Sequence, residues 1–195
     1  MAAYRAPAGE SSGEIREKGS RFLAVVSPAA DEAAAKAVLA ALARQYPDAT
    51  HHCWAWRLGE PPRERSADAG EPAGTAGVPI LQVLRGAGLS DVLAVVIRWF
   101  GGTKLGKGGL ARAYSAATRE AVRELPAVLR VPTVLVAVEA PYEKVGAVKR
   151  LLHSPEVELE REEYGAAARL VLRVHEERLG ELREALAGLG IAAGI

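Results

Sequence analysis

Val95-Val96-Ile97-Arg98-Trp99-Phe100-Gly101-Gly102-Thr103-Lys104-Leu105-Gly106-Lys107-Gly108-Gly109-Leu110 passes from an apolar run through a glycine-dense basic loop into an amphipathic segment. The run predicts a strand over Asp91–Phe100. Apolar Leu110, Tyr114, Ala117, Ala121 and Leu125 predict the buried stripe of a helix over Leu110–Leu125, which Pro126 closes. Five glycines in the nine positions 101–109 cost backbone entropy unless the chain needs unusual dihedrals or bare N–H groups. No Asp or Glu occurs from Val92 to Arg119, whereas Arg98, Lys104, Lys107, Arg112 and Arg119 are basic. A strand, a positive glycine loop and a helix N-terminus together favour an anion, most often a phosphate. A tight strand-to-helix turn with solvated lysines is the plainer alternative.

Upstream, Glu14–Lys18 and Arg21–Val26 read as two short strands around Gly19-Ser20, after a loose arm of about ten residues. Asp31 is a candidate N-cap for a helix to Tyr46, with Ala35, Leu39, Leu42 and Tyr46 on one face. Thr50–Leu58 alternates as a strand, with His51, Cys53 and Ala55 on one side and His52, Trp54 and Trp56 on the other. His51 and Cys53 do not make a zinc site: a closed site needs four ligands, the chain has one Cys, and His153 and His175 are far downstream.

Gly59–Gly77 is a long polar loop, a length associated with function or disorder. Within it Asp68 and Glu71 suit either a hard cation or the cap of the next helix near Val78, and capping is the reading adopted. Pro79 fits the first turn of that helix, which Gly86 and Gly88 end.

Downstream, the pattern restarts: strand Val131–Ala140, helix Pro141–Leu152, strands Val157–Tyr164 and Ala168–His175 around Gly165, helix Glu177–Leu189, and a weak strand from Ile191. This is the split βαβ, ferredoxin-like βαββαβ order. Two domains are therefore expected, 1–130 and 131–195. The first carries 17 Lys/Arg against 13 Asp/Glu and the second 8 against 11, so the N-terminal domain is the half expected to meet a polyanion.

A hydrophobic fraction of 49% and a charged fraction of 25% are those of an ordinary globular protein. One cysteine excludes an internal disulfide framework. Apolar runs such as Val92–Ile97 are too short to cross a bilayer, and the first residues lack a secretory core, so a cytoplasmic protein without membrane contact is expected. Asn is absent, a composition that suits a thermophile or a biased genome. Residues 101–108 match the spacing of a phosphate-binding P-loop up to Gly108, where the metal-binding hydroxyl is missing, which argues against nucleotide turnover. No hydrolase signature occurs, no catalytic residue is assigned, and no metal or cofactor is expected.

The run Gly70-Glu71-Pro72…Gly74-Thr75-Ala76-Gly77, then Arg98 to Gly106, Gly109-Leu110 and Ala113-Tyr114, resembles the YigZ/IMPACT family. Gly19-Ser20-Arg21-Phe22 and His52-Cys53-Trp54-Ala55 extend the resemblance over essentially the whole chain. One departure stands out: the family usually has two adjacent acids before Gly-Glu-Pro, and here Asp68 is followed by Ala69. The resemblance implies a mixed α/β (α+β) architecture, with an N-terminal domain like domain 2 of ribosomal protein S5 and a ferredoxin-like C-terminal domain. Both resemble domains near the end of elongation factor G. Eukaryotic members are linked to control of translation through a partner-binding domain that this sequence does not contain.

The expected function is accordingly binding of RNA or a ribosomal surface in the regulation of translation. Arg98, Lys104, Lys107 and Arg112 would contact phosphates, while Gly101, Gly102, Gly106, Gly108 and Gly109 would present N–H groups. Trp99 or Phe100 would either stack on a base or pack in the core. The rival is a small phosphorylated or nucleotide ligand, bound or acted on by this loop with Asp68, Glu71 and Thr75 opposite. The acidic C-terminal domain could dock a protein partner.

Overall fold

In the computed structural model, which describes residues 3–194, the apolar run is the middle strand of a five-stranded antiparallel sheet. This sheet belongs to an N-terminal unit, Ala3–Arg130, and a second unit starts at Val131. The order across the sheet is β2 (Ser11–Glu17), β3 (Ser20–Pro28), β6 (Val92–Trp99), β4 (His51–Leu58) and β5 (Arg63–Ala67). Strand side chains alternate between faces, so a strand covered on both sides must be apolar throughout. On one face Phe22, Ala24, Cys53, Ala55, Ala94 and Val96 pack under α2 (Gly77–Gly86) and α3 (Gly106–Arg123). On the other, Val25, Trp56, Val95 and Ile97 pack with Ala35 and Leu42 of α1 (Glu32–Gln45).

Local signals explain most boundaries. Asp31 is extended and accepts from the Ala34 N–H at 2.7 Å, capping α1 as its residue type favours. The N-terminal arm is not loose: β1 (Tyr4–Pro7) pairs antiparallel with β7 (Ala127–Arg130). Asp91 ties this ribbon down, accepting from the Tyr4 hydroxyl at 2.6 Å and the Arg130 guanidinium at 3.2 Å. Burial, reinforced by the Asp91 carboxylate, pushes the Tyr4 phenol up to about 12. The long loop likewise contains a strand, since β5 pairs with β4 at the sheet edge.

The second unit runs β8 (Thr133–Ala140), α4 (Tyr142–Lys149), β9 (Val157–Tyr164), β10 (Ala168–His175), α5 (Leu179–Gly188) and β11 (Ala193–Gly194). Its antiparallel sheet has the order β11-β8-β10-β9, the arrangement of a split βαβ fold. Val136, Val138, Leu170, Leu172 and Val174 form its buried face with Val148, Leu182 and Leu186 of the helices. The opposite face leaves Leu135 exposed.

Candidate functional site

The C-terminal end of β6, the start of β4, the 68–77 loop and the beginning of α3 converge on a concavity of about 490 Å³. Its lining includes His51, Glu71, Arg98, Phe100, Lys104 and Lys107.

Arg98 is 5% exposed, and its charge is met by Glu71, whose side chain is 3% exposed. This corrects the expectation that Arg98 meets a phosphate as an open cation: its Nη1 donates to Glu71 Oε1 and its Nη2 to Ser20 Oγ at 3.3 Å. Neither partner could be inferred from spacing, because Glu71 is 27 residues away. Glu71 also accepts from the Tyr114 hydroxyl at 2.8 Å, so it faces inward and does not cap α2.

The Cys53 thiol lies 2.9 Å from the Asp68 carbonyl and 3.3 Å from the Tyr114 oxygen, with one proton to share between them. Burial pushes that thiol up to about 12, which makes it a poor nucleophile, and burial also raises the Tyr114 phenol. His51 Nδ1 is 3.0 Å from the Ala69 carbonyl, an acceptor, so that nitrogen carries the proton and Nε2 faces Glu71 at 3.9 Å. Among the described residues, no group of three or more His, Cys, Asp or Glu side chains could hold a metal ion.

Asp68 shapes the opposite loop. Its carboxylate accepts from the N–H groups of Gly74, Ala76 and Gly77 at 2.8–2.9 Å, capping α2 from outside its first turn. Burial works against the charged form, but the three donors outweigh it and hold the carboxyl below its ordinary value. Asp68→Ala is expected to cost about 2 kcal/mol near neutral pH, from a lost cap and charge-assisted bonds. A depressed carboxylate stabilises above its unfolded value and loses that contribution as pH falls. The gap between wild type and variant, read by urea unfolding, should therefore shrink between about pH 5 and pH 2. A gap independent of pH would show that the carboxylate charge plays no part. Thr75 is buried and donates to the Pro72 carbonyl at 2.7 Å, so it does not line the concavity as expected.

The glycines divide by role. A Cβ on Gly101 would meet the Gly19 carbonyl carbon at 1.9 Å, and the Gly101 N–H donates to Ser20 Oγ at 3.1 Å. Gly101 is thus spent on packing against the β2–β3 turn and offers no N–H to a ligand, contrary to expectation. Gly102 and Gly106 have φ of +87° and +71°, a region that L side chains rarely adopt. Gly106, Lys107, Gly108 and Gly109 form the first turn of α3, four residues earlier than the apolar pattern suggested. That turn has no side-chain cap and no acid.

Lys104, Lys107 and Arg112 are exposed, with no hydrogen-bond or ion-pair partner among the described residues. Lys18, unflagged by the sequence, is also exposed and unpartnered, on the turn that touches Gly101. Only the contact between Gly19 and Gly101 brings it near. Trp99 packs edge-on against Tyr46 and donates to Asp48 at 2.8 Å, whereas Phe100 is 47% exposed on the rim.

Residues 18–122 match the Impact N-terminal domain, and residues 138–189 match a domain of unknown function (DUF1949). A Thermus thermophilus protein described as an IMPACT family member in the pol 5′ region is 43% identical over 155 residues, which are 80% of this chain and 84% of that protein. The IMPACT family member YigZ of Escherichia coli (strain K12) is 34% identical over 173 residues, 87% of this chain and 85% of its own. The crystal structure of a hypothetical protein, 30% identical, aligns with a TM-score of 0.74 over 99% of this chain and 97% of that one. No helix among the described residues is long and apolar enough to cross a membrane. The residues around the concavity, from Glu71 through Arg98 to Tyr114, fall inside the matched N-terminal segment, and the chain belongs to the IMPACT family.

Proposed function

We propose that this IMPACT family member binds RNA, free or within a ribosome, and acts through it in the regulation of translation. One observation carries the reading: the 18-residue helix α3 begins with no capping side chain and no acid, yet Lys104 and Lys107 flank its start. The N-terminal end of a helix already bears partial positive charge, so two lysines there repel it, and an anion offsets both. Exposed Phe100 on the same rim supplies a face for a base to stack on. The link to translation comes from the family, whose eukaryotic members are tied to its control.

Purification from the native cells at low ionic strength tests this reading. RNA or ribosomal particles should accompany the protein and leave as salt is raised. A stoichiometric small ligand with no nucleic acid would contradict it. Residues 1–130 are proposed as the binding domain, and this fragment should keep most of the RNA affinity of the full chain in titrations with one oligonucleotide. Near-complete loss would move the surface to the C-terminal domain.

A second reading has its own observation. At about 490 Å³ the concavity is the size of small-molecule sites, and it joins buried Arg98 and Glu71 to two free lysines. A nucleotide phosphate between Lys104 and Lys107 would occupy it without any polymer.

A further inference from the structure

Beyond the concavity, two adjoining depressions run along the groove between α2 and α3. Gln82, Ser115 and Arg119 line both, and Arg112 lines the one nearer the start of α3. At 100° per residue, Gly108, Arg112, Ser115 and Arg119 fall within about 60° of one another, and the stripe is about 16 Å long. At its upper end Arg112 Nη1 lies 3.4 Å from where a Cβ on Gly108, in the first turn of α3, would sit.

Neither Arg112 nor Arg119 has a hydrogen-bond or ion-pair partner among the described residues, and both are exposed. Arg123, one turn further, is held by Glu120 and Glu124. The unbalanced charge therefore ends where the acids begin. The small residues Gly86, Ala87, Ala111 and Ala116 also line it.

Resting on the RNA reading above, we infer that this groove carries the continuation of a single RNA strand, with Arg112 and Arg119 on successive phosphates. Gln82 beside them offers a neutral hydrogen bond. Guanidinium forks match phosphate oxygens in pairs, and such contacts fix register without reading sequence. A mononucleotide would stop at the concavity, whereas a polymer has to leave it, and along α3 the unpaired cations Arg112 and Arg119 lie in this direction.

The test titrates the full-length protein with a single-stranded RNA of about 12 nucleotides and with a 5′-phosphorylated dinucleotide at several salt concentrations. For the longer RNA, Arg112→Gln/Arg119→Gln should lower the log–log salt slope by about 1.4 relative to wild type. Arg119→Gln alone should lower the slope by about 0.7 and leave dinucleotide binding unchanged, because Arg119 lies outside the 98–112 element. Arg112→Lys/Arg119→Lys should restore the slope, showing that charge and not fold was lost. If the Gln variant binds the longer RNA with the wild-type slope while Lys104→Ala/Lys107→Ala does not, the groove is not part of the path, although the loop reading stands. If the wild-type protein binds neither RNA, both fall together.

Discussion

Glu71→Ala is expected to destabilise the N-terminal unit by about 3–5 kcal/mol, because it strands the buried Arg98 guanidinium without a counter-charge. The Tyr114 hydroxyl loses its acceptor in the same step. All three tryptophans, Trp54, Trp56 and Trp99, lie in this unit, so urea unfolding followed by tryptophan fluorescence reports on it selectively. Breaking a buried pair from one side costs far more than removing both members, since the penalty comes from the orphaned charge. Arg98→Met added to Glu71→Leu should therefore recover most of the loss. A single-variant cost below about 1 kcal/mol would mean that Glu71 is not what compensates Arg98.

Gly101→Ala should be comparably damaging, at about 3 kcal/mol or more. The added methyl would lie 1.9 Å from the Gly19 carbonyl carbon, 2.1 Å from its oxygen and 2.3 Å from the Ser20 nitrogen. These are backbone atoms of a turn in which Lys18 and Gly19 have φ of +47° and +81°, so no rotamer change can clear them. Gly102→Ala is the matched control. Its φ is +87° but nothing lies within 4 Å of the new methyl, so only dihedral strain of about 1–2 kcal/mol applies. Equal costs at the two positions, measured by the same unfolding assay, would remove the close approach as the reason for Gly101.

The split between what was legible in the sequence and what was not follows from the range of the interactions. The cap at Asp31, the apolar β6 and the order of elements after Val131 rest on local periodicity and on contacts a few residues apart. The β1–β7 ribbon pairs residues more than 100 positions apart, and its four-residue strands are too short to show an alternation. β5, Arg-Glu-Arg-Ser-Ala, sits at the sheet edge with Arg63 and Arg65 exposed, so it reads as loop until β4 is seen beside it. α3 starts at three glycines that resist helix formation, and the pattern rule places its start at Leu110 for that reason.

For the candidate site, the charge count around 98–112 singles out a basic stretch but does not sort its cations. Arg98 and Lys104 look alike in a sequence. One is buried against Glu71 and the other is exposed without a partner, a difference made by the fold's return of the 68–77 loop to the end of β6. The family match spans these residues and assigns them no chemistry.

The central claim is that Lys104 and Lys107 hold phosphates, and the salt dependence of RNA binding by Lys104→Ala/Lys107→Ala tests it most directly. Each phosphate contact on single-stranded RNA releases counterions worth about 0.7 in the log–log slope. The double variant should lower the slope by about 1.4 and weaken binding to unrelated sequences equally, while its thermal midpoint stays near wild type because exposed charges contribute little to stability. An unchanged slope would contradict the claim, and a large drop in the midpoint would show that these lysines serve the turn itself.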